Sequence, residues 1–445
     1  MGPEWVSIIA LVALFVIGTL LPINMGALAY VAAWLVGVYA LDLSEKEVLA
    51  GVSGDLVLTL IGVTYLFAIA KNNGTVDLIV RSAVRAVGGR VALIPWVMFF
   101  VTALLTAIGA ASPAACAIIG PIALGFAGRY KINPLLMGMF VVHGAQGGGF
   151  SPISIYGTIT NSVMEENNLP SSEMTVFLAS LGVNLLMAVV LFLVLGGRRL
   201  MHMRADDLDD EMTDDLGDGG GSGSGGGTGA GAGTATMTAT RTAQALGVRR
   251  DQVLTLVAFA LVAVIALAFD KNIGFVAITA AVVLAMLSPN EHKDAVKQVA
   301  WPTVLLVAGV STYAAVLTEA KAPEFVGNWA AALGAAVIGA LVLCYVGGVV
   351  SAFASSTALL PVIIPIAVPL IANGGIGAAT FVAALAISST IVDVSPFSTN
   401  GALMLANRPD TISEPRYYKQ ILTYSVIVVV VGPLLVWAAL ILPGW

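Results

Sequence analysis

Two stretches, HGAQGGGFSP at 143–152 and SSTIVDVSPFSTN at 388–400, decide the fold of this chain. Each lies inside an apolar run long enough to cross a bilayer, yet each is full of residues that interrupt a helix. Three successive glycines, Gly147, Gly148 and Gly149, cost about 1 kcal/mol each in a helix interior. Pro152 and Pro396 each remove a backbone hydrogen bond. In hydrocarbon every N–H and C=O needs a partner, so an opened helix survives only where protein buries it or where it lines a cavity. Both crossings are therefore predicted to open near the membrane midplane.

Working outward, each break follows an apolar region too long for one helix and interrupted midway by small residues. These are 91–128, broken at Gly109 to Ala115, and 329–372, broken at Ser351 to Ala358. Both read as helical hairpins that dip in and return to the same side. The pairing of hairpin with broken crossing occurs twice because the chain is doubled. Asn24, Gly26 and Ala29 recur as Asn272, Gly274 and Ala277; Gly62, Val63 and Tyr65 recur as Gly309, Val310 and Tyr313. The pair Ser151–Pro152 recurs as Ser395–Pro396, and Asn161 as Asn407. Doubling of a very apolar chain with breaks at matching places marks a secondary transporter. The two glycine-tyrosine elements read as helix packing.

The 445 residues are 58% hydrophobic and 10% charged, too apolar to solvate a globule of that size. Ten spans are expected, near 4–22, 24–41, 54–70, 134–160, 174–197, 252–269, 272–288, 301–318, 378–406 and 420–442. With the two hairpins re-entrant, 17 of the 20 basic residues fall on one face, leaving only Lys46, Lys271 and Lys321 opposite. The positive-inside rule then places that face in the cytoplasm and both termini outside. Five spans per half make the repeats inverted, with hairpins entering from opposite faces. Repeat one is 1–197 and repeat two 251–445. Between them, 198–250 passes from basic to acidic to Gly/Ser-rich sequence and reads as a cytoplasmic tether. The net charge of −6 owes much to its acidic run, and no basic patch calls for nucleic acid. Cys116 and Cys344 read as small packing residues in the hairpin helices.

An opened helix offers two kinds of end. Free N–H groups and a positive dipole at the resumed N-terminus suit carboxylate oxygens, whereas carbonyls, with Ser, Thr and Asn oxygens, suit a hard cation. No Lys or Arg falls inside any break, so a bound anion is most simply balanced by cations held beside it. Asp393 is the one carboxylate placed in the core of a span; it reads as a Na⁺ ligand or proton carrier, against a structural cap. His143 and Gln146 are candidates for coupling, against a hydrogen-bonded structural histidine and a neutral lining group. The substrate-binding candidates are Ser112, Gly149, Ser151, Gly157, Thr158, Asn161, Ser355, Ser356, Thr357, Ser395, Ser398, Thr399 and Asn400. For the cation they are Ser112, Gly147, Gly148, Ser355, Ser389, Thr390 and Asp393, with Na⁺ expected at the hairpin tips. Singly, membrane serines and threonines mostly pack or bond back to their own turn.

At these residues the chain resembles the ion transporter superfamily, the group that includes divalent anion to sodium symporters. LPINMGALAYVAAWLVG, GAASPAACAIIGPIALGFAGRYKINP and HGAQGGGFSPISIYGTITN resemble the malonate and dicarboxylate carriers of the MatC type. The resemblance implies a scaffold domain that forms a homodimer and a transport domain, built of hairpins and broken helices, that moves as an elevator. The sodium symporters carry Ser-Asn-Thr at both tips. Here Ser112, Ser355 and Thr357 match and the Asn is missing from both; Gly157, Thr158 and Asn161 match residues after the first broken helix. The chain is thus expected to be an all-α, polytopic symporter of the cytoplasmic membrane, importing malonate or a C4 dicarboxylate with Na⁺ or H⁺ and needing no other cofactor. The rivals are a cation/proton antiporter of the same fold, a membrane-embedded enzyme and a passive channel.

Overall fold

The computed structural model describes residues 2–21, 23–88, 90–170, 172–201, 203, 249–269, 271–331, 336–352, 355–374 and 376–443. The tether predicted over 198–250 lies mostly outside them. Among the described residues the regular structure is helical, and nine principal helices of the first half are answered by nine of the second. The first set is α1 Pro3–Leu20, α2 Met25–Ala40, α3 Gly54–Asn72, α4 Thr75–Ala86, α5 Leu93–Ala107, α6 Ser112–Arg129, α7 Pro134–Gly148, α8 Ile155–Glu166 and α9 Glu173–Val194. The second is α10 Arg250–Phe269, α11 Ile273–Leu287, α12 Trp301–Glu319, α13 Ala322–Ala331, α14 Ala336–Ser351, α15 Ser356–Gly374, α16 Ala378–Ile391, α17 Thr399–Ala406 and α18 Glu414–Leu440.

Six described helices are long and apolar enough to cross a membrane on their own. The returning arm of the first hairpin, α6, is one of the six, and the shorter apolar helices include α2, α11, both arms of the second hairpin and the first segment of the second broken crossing, α16. The fold is that of a polytopic membrane protein. Sequence reading missed the helices between the spans. In α4, Val76 and Val80 are buried while Asp77, Arg81 and Arg85 are exposed, an amphipathic face suited to lying along the bilayer surface.

Hydrogen bonds at the helix starts establish the inversion. Asn24 caps α2 by accepting from Gly26 N–H at 2.9 Å, and its Nδ2 donates to Pro302 O at 3.1 Å, so α2 and α12 begin at one face. Asn272, the cap of α11, donates instead to Asp55 at the start of α3. Because α3 begins where α2 ends, α11 starts at the face opposite to α2, its counterpart in the first repeat. Asn73 at the end of α3 donates to Thr255 of α10 at 2.7 Å, which puts the start of α10 on the face where α2 begins. That face carries the loops rich in Lys and Arg and is called the basic face below.

The repeats pack by exchange: α2 lies on α12, and α3 on α11. These contacts bring backbone against backbone, and glycine is what permits them. A Cβ on Gly26 would collide with the backbone of Leu305 and Leu306, and one on Gly309 with the backbone of Gly26. Gly62 and Gly274 repeat the arrangement in the other pair. The packing reading of these glycines therefore stands.

The broken crossings are the most deeply placed elements. Every residue of α7 from Leu135 to Gly148 is buried, as is every residue of α16 from Phe381 to Ile391. A helix apolar and covered all round belongs inside a bundle. One detail of the prediction changes here. Gly147 and Gly148 remain helical, and the chain opens only at 149–154 and 392–398. Their role is close approach: Gly148 abuts Ala103 of α5, and Gly147 abuts Leu181 and Asn184 of α9. The first hairpin tip is likewise tighter than predicted. The first spans 108–111 and turns at Gly109 with φ +109°, and the second lies between Ser351 and Ser356.

Candidate functional site

Four helices begin in the interior: α6 at Ser112, α8 after Ser154, α15 at Ser356 and α17 after Ser398. Each hairpin's returning arm packs across the repeat boundary, α6 on α17 and α15 on α8. The positive ends of four helix dipoles thus converge, which is a setting for an anion that needs no basic side chain.

A constant spacing of 244 residues relates the parts: Ser112 to Ser356, Ser151 to Ser395, Ser154 to Ser398, and Gly157 to Gly401. Their bonds repeat with them. Ser151 Oγ donates to Ala107 O at 2.8 Å and Ser395 Oγ to Ala352 O at 2.9 Å, each tying a break to its own hairpin. Ser154 and Ser398 cap the resumed helices, accepting from Gly157 and Gly401 N–H at 3.3 Å. These serines build the frame. Asn161 and Asn407, by contrast, are not counterparts: Asn161 lies within α8 with its Oδ1 buried and unpartnered, whereas Asn407 ends α17 and donates to Leu403 O.

Within this shared frame the two breaks differ in chemistry at three places, one of which pairs the buried Ile155 with the exposed Thr399. Gly149 of the first answers to Asp393 of the second, and Tyr156 to Asn400. Asp393 is 8% exposed, and its Oδ2 accepts from Asn400 Nδ2 at 2.8 Å and from Gln146 Nε2 at 3.4 Å. The Asn400 amide also donates to Ser112 Oγ at 2.9 Å, joining the second break to the first hairpin's tip. Among the described residues no basic side chain pairs with Asp393. Gln146 Oε1 and Asn400 Oδ1 are buried without partners. The amide N–H groups face the carboxylate, and the two unpartnered amide oxygens are, like Asp393, oxygen ligands of the kind a hard cation takes.

Sequence reasoning missed Tyr156 and the closeness of Cys116. Tyr156 stacks obliquely on Phe150, with ring centres 5.4 Å apart, and its hydroxyl faces Thr357 and Ser356 at the second hairpin's tip. Its signal was the 244-residue register, which pairs it with Asn400. Cys116 lies beside Ser112, one turn along α6.

Other candidates fall elsewhere. Ser389 and Thr390 donate back to Leu385 and Ala386 carbonyls within α16, so their hydroxyl hydrogens are engaged by their own helix. Thr399 is exposed, and Thr158 Oγ is buried without a partner. His143 is held between helices: its Nδ1 lies 2.8 Å from Asn184 Oδ1 and its Nε2 2.6 Å from Tyr424 Oη. Because Asn184 Nδ2 already donates to Ser180 O at 3.0 Å, its oxygen accepts from Nδ1–H, and Nε2 is left to accept from the tyrosine. The imidazole thus ties α7 to α9 and α18.

Two cavities reach the tips. One of about 320 Å³ runs from Asn24 and Pro302 to the exposed Ser355; another of about 290 Å³ runs from Lys71 and Gln298 to Gly109 and Ala111. Both lie toward the basic face.

Residues 1–149 match the family model described as the N-terminus of dicarboxylate carrier protein MatC, and residues 260–444 match the citrate transporter family. The chain is a member of the ion transporter superfamily. Both matched families are transporters, so this superfamily member is a transporter and not an enzyme. The crystal structure of the Alcanivorax borkumensis YdaH transporter, described as having an unusual topology, is similar with a TM-score of 0.55 at 12% identity. The likeness covers 90% of this chain and 88% of that one, and at this identity it is a likeness of fold alone. No curated protein sequence matches the chain.

Proposed function

We propose that the protein is a symporter of the cytoplasmic membrane that imports a small dicarboxylate, malonate or a C4 acid, with Na⁺ as the coupling ion. The observation that carries the reading is the pairing of unlike ends at one place. Four helix N-termini supply donors for carboxylate oxygens, while Asp393, Asn400 and Gln146 supply acceptors for a cation beside them. With no basic side chain to balance a dianion, cations bound first complete its pocket, and this dependence is the coupling. Na⁺ is favoured over H⁺ because the free groups are several oxygens rather than a single proton acceptor.

The interior helices α5 to α9 and α14 to α18 form the moving unit, and the crossed α2, α12, α3 and α11 form the support. Glycine-mediated backbone contacts on the support suit a rigid part that pairs two copies of the chain, while the unit carries substrate as an elevator. Cavities at both tips opening toward the basic face fit an inward-facing state.

Counterflow of labelled malonate and succinate in proteoliposomes, with Na⁺ and pH gradients imposed separately, tests the reading. Accumulation of either acid under a Na⁺ gradient is expected. No accumulation under any gradient, with Na⁺/H⁺ exchange present, would replace it with an antiporter.

A further inference from the structure

At the basic face, a cavity of about 430 Å³ with mixed polar and apolar walls lies between the loop after the first hairpin, the segment after α9 and the start of α18. Three cations line it, Lys131, Arg199 and Arg416, each from a different one of these segments, together with Asn133, Thr411 and Gln420. Among the described residues no carboxylate lines it, and Lys131 already makes an interaction of its own. The nearest in sequence are Asp410, beside Thr411, and Glu414, which pairs with Arg408 at 3.6 Å. Gln420 Oε1 is buried there without a hydrogen-bond partner.

The cavity does not end at the polar residues. Asn133, Leu195, Arg416 and Gln420 also line an apolar groove of about 680 Å³ that continues between α9 and α18, walled by Val190, Val194, Ile427 and Val431. From Leu186 to Leu195 the groove follows α9 for roughly 13 Å at 1.5 Å per residue, about the depth of one leaflet of a 30 Å hydrocarbon core.

We propose that this continuous site holds an anionic phospholipid of the leaflet at the basic face. Its phosphodiester sits between Arg199 and Arg416, headgroup hydroxyls meet Asn133, Thr411 and Gln420, and an acyl chain fills the groove. Basic pockets between membrane helices on the cytoplasmic side suit such headgroups. A free anion would leave the apolar groove unexplained. A second copy paired symmetrically here would set like charges against one another. The site also touches the interior, because Tyr424 lines the groove and hydrogen-bonds His143 of the buried α7. An occupying lipid braces α9 and α18 against the helix that carries the first break.

The test is lipid retention by the full-length protein, measured by native mass spectrometry and thermal shift after exchange into phosphatidylglycerol or phosphatidylcholine. Phosphatidylglycerol is expected to be retained and to raise the unfolding midpoint, with phosphatidylcholine doing neither. The double variant Arg199→Gln/Arg416→Gln should lose about fivefold in retention for each charge removed. Val431→Trp, which fills the groove and leaves the cations in place, should also displace the lipid. Equal retention of both lipids, retention unchanged in both variants, or displacement by millimolar inorganic phosphate would overturn the proposal. So would a dimer that Val431→Trp dissolves, which would assign the groove to a second copy.

Discussion

Asn400 holds Asp393 across 2.8 Å and, with the same amide nitrogen, reaches Ser112 Oγ at 2.9 Å, so the second break and the first hairpin's tip share one polar contact. The carboxylate of one repeat is thereby positioned by the other. A cation bound at Asp393 would be felt at the start of α6, where an anion's oxygens are proposed to sit.

Replacement of Asn400 by Ala removes both donations and leaves Asp393 and Ser112 without their shared partner. The hydrogen bond lost to the carboxylate of Asp393 is worth about 1.5–3 kcal/mol and the one lost to the neutral Ser112 hydroxyl about 0.5–1.5 kcal/mol. Dicarboxylate uptake is expected to fall tenfold or more, with Na⁺ half-activation shifted upward in the same proteoliposome assay. Unchanged half-activation would separate Asn400 from the cation.

Tyr156→Phe removes the hydroxyl facing Thr357 and Ser356 while keeping the ring on Phe150. The expected effect is a roughly threefold to tenfold weaker apparent affinity for dicarboxylate, the net worth of one buried hydrogen bond, with the folded protein equally stable to heat. Thr357→Ala should act in the same direction. Wild-type affinity in both variants would place the substrate away from the second tip.

His143→Leu is a different kind of change. It strands Asn184 Oδ1 and Tyr424 Oη in the interior, a loss of about 1–3 kcal/mol for each buried group left unpaired. A lower unfolding midpoint is expected, with the pH profile of residual uptake unmoved. A displaced profile would make the imidazole a proton carrier after all.

The crossed glycines predict a stability effect remote from the site. Gly309→Val drives a side chain into the backbone of Gly26, and overpacking of this kind costs about 1–3 kcal/mol. The midpoint in detergent should drop, whereas Gly182→Ala, whose Cβ meets nothing within 4 Å, should leave it unchanged.

Much of this architecture is legible in the sequence. The doubled order of Asn-Gly, hairpin and Ser-Pro break survives because each is a backbone requirement, and backbone requirements leave residue-type signals: glycine for close approach, proline and serine for an opened turn. The inversion follows from where Lys and Arg accumulate, and Asn24 and Asn272 record it in their bonds to Pro302 and Asp55. What stays illegible depends on contacts between elements. Tyr156 looks like an ordinary membrane tyrosine until α15 is laid against it, and Gly147 and Gly148 look like breakers until α5 and α9 are seen to need their missing side chains. Asn161 and Asn407 coincide only in residue type, since the rigid 244-residue register of the breaks does not pair them.

The most direct measurement is the Na⁺ dependence of labelled dicarboxylate binding to purified wild-type and Asp393→Asn protein, titrated at fixed pH. Removing one charged oxygen from the proposed cation site should raise the Na⁺ concentration for half-maximal binding by about 10–100-fold, the range for perturbing a metal site's ligand environment, with the variant still folded. Superimposable Na⁺ and pH dependences in the two proteins would contradict the account.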